Sequence, residues 1–325
     1  MPLATPLAPF ASPPATLASP PEIVISAIDA GLASGLVELT VLTIAVVLYG
    51  QRTVTLAQKG RPVPGWRIAS FGFGLILTAG PLFTPLGRIA EELVLAHMVE
   101  HLVIGDIAPI FLVLGLTRAM LQPVLAIRFF KRLEVLAHPA VALPLWCLNL
   151  YVWHVPFLYE GASGPTGLHF LEHISFITFG CLMWMPVFGP LPMPTWFGPG
   201  WTITYTLLAR FATAALGNAL MWSGTVLYPA YAAGQASWGI SPIADQSTAG
   251  AIMMVEGLFV TLPVLAWTFL RMAKQGTERQ ELLDLAYELG VPLSEERAQR
   301  AVAAGQGEAL SQRLRHTAGE RTASV

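Results

Sequence analysis

Charge is scarce in this sequence, and its scarcity removes the water-facing surface that a soluble domain needs. Only 12% of the 325 residues are Asp, Glu, Lys or Arg, while 54% are hydrophobic; soluble proteins carry about a quarter charged residues. No basic stripe is present and the formal net charge is -2, which argues against nucleic acid as a partner. Cysteine is almost missing. Cys147 and Cys181 are the only two, both inside apolar runs, so a disulfide framework and a thiolate-rich zinc site are excluded. Each reads as a small buried hydrophobe. Residues 1–21 contain no Lys or Arg and so lack the positive start of a secretory signal; residues 1–30 are expected to form a disordered external arm. No internal repeat of useful period is found.

What the chain does have is long apolar runs. Seven stretches of about 20 mostly apolar residues have the length of membrane-crossing helices: 31–50, 66–85, 92–116, 139–158, 168–188, 201–228 and 248–271. Backbone polar groups in lipid must be satisfied within each segment, so the expectation is an all-α, polytopic bundle of about seven transmembrane helices over residues 31–271. Arg52, Lys59, Arg61 and Arg67 lie between the first two runs. Arg118, Arg128, Lys131 and Arg132 lie between the third and fourth, and Arg271 and Lys274 follow the seventh. Positive loops stay inside, which puts the N-terminus outside and the C-terminus in the cytoplasm. The tail, 272–325, alternates charge with Leu and Ala. It is expected as short amphipathic cytoplasmic helices and partly disordered chain, with a break near 290–292 and Ser294 as an N-cap.

Histidine is the informative residue. His97 and His101 share one face of the third run, and His169 and His173 share one face of the fifth, because residues four apart stack on a helix. His154 is late in the fourth run. Given the orientation, His97 and His101 lie roughly 9 and 15 Å in from the outer end, at about 1.5 Å per residue. His169, His173 and His154 fall at a similar outer depth. His138 reads as a helix-start residue and His316 lies in the tail. Ionisable residues within a membrane are costly and usually functional, and imidazole suits copper, zinc, iron and nickel. His97, His101, His154, His169 and His173 are therefore candidate metal ligands. Glu100, Glu160 and Glu172 are candidates to hold the ligating rings, and Met98, Met221, Met253 and Met254 are candidate soft accessory ligands. The bland reading of the methionines is core packing. Deeper in, Asp106, Arg210 and Glu256 are expected to form one buried charge network, chiefly a clamp on the bundle, with a proton route between Asp106 and Glu256 as the other reading. Asp245 and Gln246 are placed to reach the mouth of the histidine site.

Several of these residues also resemble a known family. His97-Met98-Val99-Glu100-His101, then Ala108-Pro109 and Leu114-Gly115-Leu116-Thr117, look like the CtaG-type, multi-span cytochrome c oxidase assembly factors. So do Tyr151-Val152-Trp153-His154-Val155-Pro156, Tyr159, His169, Glu172-His173 and Trp184. Tyr228-Pro229, Gly239-Ile240-Ser241-Pro242, Asp245-Gln246, Gly250, Met253-Met254 and Glu256-Gly257 fit as well. The resemblance implies a multi-pass protein of the bacterial plasma membrane that helps load copper into a haem–copper oxidase. Its partners would be oxidase subunits and a copper donor protein, and its role would be assembly rather than catalysis. Three other readings stay open at this point. One is a haem-binding electron carrier, with histidines on opposed helices as axial ligands. The second is a copper permease, for which the inner half offers chiefly Asp106 and Arg210. The third is a membrane metal hydrolase, for which no nucleophile constellation is seen.

Overall fold

The computed structural model describes residues 20–127, 133–162 and 167–323, which form helices and short connections with no strand among them. The first helix, α1 (Pro20–Gln58), begins well ahead of the expected residue 31, and the rest of the expected arm, residues 1–19, lies outside the described residues. A connection containing Gly60 leads to α2 (Gly65–Phe83) and the short α3 (Pro85–Ala90). Side-chain hydroxyls along α1 bond back to their own helix, as Thr40 does to the carbonyl of Leu36 at 2.7 Å. Such bonding satisfies polar groups without a partner helix. Large apolar side chains such as Ile76, Phe211 and Phe259 stand on the outside of the bundle. In water they would form an aggregating patch; lipid is the solvent that suits them.

The third apolar run is one span with a wide turn in it. It consists of α4 (Val94–Leu102), a π-helical turn at Val103–Ile107 and α5 (Ala108–Gly115). Pro109 has no N–H and its ring crowds the carbonyl four residues back. A single wide turn at residues 103–107 relieves that conflict without ending the helix. After α6 (Arg118–Ala126) and α7 (Leu133–Leu136), the fourth run forms α8 (Pro139–Trp153) and α9 (Pro156–Ala162). His138 caps α8, its Nδ1 accepting from the backbone N–H of Ala140 at 3.3 Å. Pro156 bends the run by 77° between α8 and α9, so the expected straight segment over 139–158 is broken at His154.

Then come α10 (Gly167–Phe188), α11 (Pro199–Trp222), α12 (Ala232–Ser237) and the long α13 (Pro242–Glu288). Among the described residues, four helices are long and apolar enough to cross a membrane: Gly35–Gln58, Val94–Gly115, Leu168–Phe188 and Pro242–Glu288. The bent α8–α9 pair makes a fifth. The seven expected runs thus reduce to four or five by this criterion. The runs at 66–85 and 201–228 do fold as α2 and α11, but α11 is diluted by Arg210, Asn218 and several threonines that it turns inward or bonds to its own backbone. α11 and α13 pack closely. A Cβ on Gly250 would meet the Gly217 carbonyl oxygen and stand 2.8 Å from the Met221 nitrogen.

The tail has the expected break near residues 290–292, and the helix before it is longer than expected. α13 runs on without a break to Glu288, and Gly290, at φ 61°, lets the chain reverse. Ser294 then caps α14 (Glu295–Ala303) by accepting from the Arg297 N–H at 3.3 Å, as expected, and α15 (Gly307–Ala323) follows. Leu282, Ala286, Val291, Ala298, Val302, Leu310 and Leu314 bury against one another. Three amphipathic faces that would each be marginal alone close over a small core of their own.

Candidate metal centre

α4 and α10 stand side by side and bring the two histidine pairs face to face. The rings within each pair are 4.1 Å apart, for His97–His101 and again for His169–His173. Across the gap, His101–His173 is 5.6 Å and His97–His169 is 6.1 Å. Two carboxylates sit among them. Glu172 Oε1 is 3.9 Å from His97 Nε2 and 3.6 Å from His101 Nδ1, while its Oε2 is 3.9 Å from His169 Nδ1. Glu100 Oε1 is 3.4 Å from His173 Nε2. The result is two trios, His97–His101–Glu172 and Glu100–His169–His173, and within each the potential ligand atoms all lie within 4.8 Å of one another.

Burial makes this arrangement demanding. Glu172 is 0% exposed and Glu100 and His97 are 1% exposed. His97 Nε2, both nitrogens of His101, His173 Nε2, Glu100 Oε2 and both oxygens of Glu172 have no hydrogen-bond partner. A buried polar atom left unbonded costs about 1–3 kcal/mol, and here seven of them are gathered on three neighbouring histidines and their partner glutamates. A cation among them would satisfy the group at once.

The outward nitrogens of His97 and His173, by contrast, are held. His173 Nδ1 donates to Glu38 Oε1 at 3.2 Å, and the Tyr231 hydroxyl is hydrogen-bonded to His97 Nδ1 at 3.2 Å. Burial pushes the Tyr231 phenol well above its usual value, so it meets His97 as a neutral hydroxyl. Fixing one ring nitrogen turns the other toward the centre, which is how outer partners orient ligating imidazoles. An aromatic wall completes the site. Tyr159 lies 4.7 Å from the His97 ring and stacks on Tyr228 at 4.0 Å.

His154 stands apart from both trios. The bend at Pro156 makes it the C-terminal cap of α8, where its Nδ1 donates to the Leu150 carbonyl at 2.7 Å. Its buried Nε2 has no hydrogen-bond partner. The ring lines a small cavity together with His101, Met98 and Met253, which extends from the paired histidines toward Asp106. Met254 is exposed on the other side of α13. Glu160 is drawn to the loop, accepting from the Ala230 N–H at 2.8 Å. The two cysteines are partly buried and free, away from either trio.

Asp245 and Gln246 act as fasteners. The Asp245 carboxylate accepts from the N–H groups of Val94 and Leu95 at 2.8 and 3.0 Å and from the Gln235 amide at 2.9 Å. It thereby caps α4, the helix that carries His97 and His101, from the opposite side of the chain. Gln246 holds the connection after α11 by accepting from the Leu227 N–H at 2.8 Å. Asp245→Ala is expected to lower stability by about 1–3 kcal/mol, since it leaves buried donors unpaired, with Asp245→Asn intermediate. Thermal unfolding of the detergent-solubilised protein measures both.

The expected charge network is also formed. Arg210 grips Asp106 with two nitrogens, one of them at 2.9 Å, and stands 3.6 Å from Glu256. The Trp184 indole donates to the same Asp106 carboxylate at 2.7 Å.

The pairing of the four histidines is legible in the sequence, which reads Glu100 and Glu172 as outer support; the structure sets both glutamates within the trios. The signal was present: His97–Glu100–His101 and His169–Glu172–His173 repeat one spacing, and residues three and four apart share a helix face. Glu38 and Tyr231 were missed, and no local pattern marks them.

Comparison with known proteins adds one finding. A family model described as cytochrome c oxidase caa3 assembly factor matches residues 47–275, more than two thirds of the chain, and takes in every residue of both trios. No curated protein and no solved structure matches.

Proposed function

The chain belongs to the cytochrome c oxidase caa3 assembly factor family, and from that premise we propose that it carries copper to the oxidase through its histidine–glutamate centre. The observation that supports the reading most directly is the pair of buried trios with their inward-facing, unbonded donors. Imidazole is a good ligand for copper. The two carboxylates offset the charge of a divalent ion in an apolar interior, where an unpaired charge is strongly disfavoured. Copper here is cargo. Its partners are the oxidase subunits that receive it and a copper donor protein that supplies it, and the role is one of assembly rather than catalysis.

Location follows from the same proposal. The positive residues between the first two apolar runs and after the seventh favour a centre near the outer face of a bacterial plasma membrane, in a bundle of seven crossings that counts α2 and α11. Met98 and Met253, in the cavity beside His101 and His154, would offer softer donors next to the paired histidines.

Replacing His97, His101, His169 and His173 together by Asn tests the reading. The purified wild-type protein is expected to retain copper after dialysis. The variant is expected to retain none and to lower membrane cytochrome c oxidase activity by at least an order of magnitude, at unchanged abundance. Equal copper content and oxidase activity in the two proteins would sink the proposal. So would a bis-histidine haem spectrum in the wild type, which would make the centre an electron carrier instead.

A further inference from the structure

The centre holds more donors than one ion uses. Tetrahedral and near-tetrahedral sites take about four ligands, and here four imidazoles and two carboxylates converge. They are also sorted. Each trio combines both histidines of one helix with the glutamate of the other: His97 and His101 of α4 with Glu172 of α10, and His169 and His173 of α10 with Glu100 of α4. One histidine of each trio also carries an outer hydrogen bond. Tyr231 on His97 Nδ1 and Glu38 on His173 Nδ1 both leave Nε2 facing inward.

Resting on the reading that this centre binds metal, we propose that it is a two-ion site, with one divalent cation in each trio and Glu172 lying between them. The position of Glu172 carries the second half of this statement. Its Oε1 faces His97 and His101 at 3.9 and 3.6 Å, and its Oε2 faces His169 of the other trio at 3.9 Å. Ligand atoms on opposite sides of one ion stand about 4.4 Å apart at most, twice a bond of about 2.2 Å. The potential ligand atoms of each trio lie within 4.8 Å of one another, so each trio closes on an ion with shifts of a few tenths of an ångström at most. Two imidazoles and one carboxylate leave an ion in the His97–His101–Glu172 trio an open coordination position. An open position is where a receiving ligand attaches, so the donor set suits ions that are passed on rather than kept.

The full-length protein in lipid nanodiscs, loaded separately with Cu(II) and with Zn(II), desalted and assayed for metal per chain, tests this. Two equivalents are expected in the wild type, and one in each of the pair variants H97N/H101N and H169N/H173N. The Cu(II)-loaded wild type is expected to show the half-field paramagnetic resonance of a coupled pair, absent from both variants. That wild-type measurement needs no variant to fold. One equivalent in the wild type, or loss of all metal in either pair variant, overturns the two-ion site and leaves the copper-carrier reading standing. Two equivalents retained by a pair variant overturns the division into trios. No metal on the wild type overturns both readings.

Discussion

Replacing Arg210 by methionine is expected to cost about 3–5 kcal/mol of stability, the range found when one partner of a buried ion pair is removed. Arg210 is 8% exposed. Its guanidinium bonds Asp106 through two nitrogens, stands 3.6 Å from Glu256 and lies over the Trp184 ring at 5.3 Å. Without it, two carboxylates remain in a space with no cation to balance them. The penalty falls on three elements, because Arg210 is on α11, Glu256 on α13 and Asp106 in the wide turn of the third span. A large drop in thermal unfolding temperature and in membrane abundance is the expected readout. The triple variant R210M/D106N/E256Q is expected to recover a good part of the loss, because neutral partners no longer need the cation. A single variant as stable as wild type would show that the cluster is not a clamp on the bundle.

Gly180→Val is the second substitution with a large expected effect, and it acts on the metal centre from a distance. A Cβ at Gly180 would run into the Gly105 carbonyl oxygen and stand 2.8 Å from Cγ of Pro109. Both are backbone or ring atoms of the third span, at its wide turn, and cannot swing aside as a flexible side chain would. The cost is that of overpacking, about 1–3 kcal/mol or more. The relief available is to push α10 away from the third span. Because α4 and α10 carry the two halves of the centre, that movement separates Glu172 from His97 and His101, and Glu100 from His173. Copper retention after dialysis is expected to fall by at least tenfold, the scale of losing the support of a ligand, although no ligand is changed. Retention equal to wild type in a folded Gly180→Val protein would show that the helices tolerate the separation.

The two tests divide the molecule along a line that also separates what was legible in its sequence. Local signals read correctly. His138 and Ser294 were recognised as helix-start residues because capping is decided within three positions of the chain, and both cap in the structure. The pairing of His97 with His101 and of His169 with His173 follows from helical period alone. Longer-range matters did not read. His154 shares the depth of the paired histidines, but Pro156 bends the chain, makes it the cap of α8 and leaves it outside both trios. Glu38 and Tyr231 stand 135 and 134 residues from the histidines they hold, and only packing joins them. The tail looked like separate amphipathic pieces because amphipathicity shows that a face needs covering, not what covers it.

By itself, then, the sequence determined that this is a helical membrane protein and which faces of two helices carry its histidines, since both follow from apolar length and a period of 3.6 residues. The tertiary structure decided that Glu100 and Glu172 cross between those helices to complete two trios, and which ring nitrogens face the centre. Those features arise from side chains meeting across helices, where close approach at Gly180 and the cap from Asp245 set the distance. No periodicity along one chain segment encodes a distance of that kind.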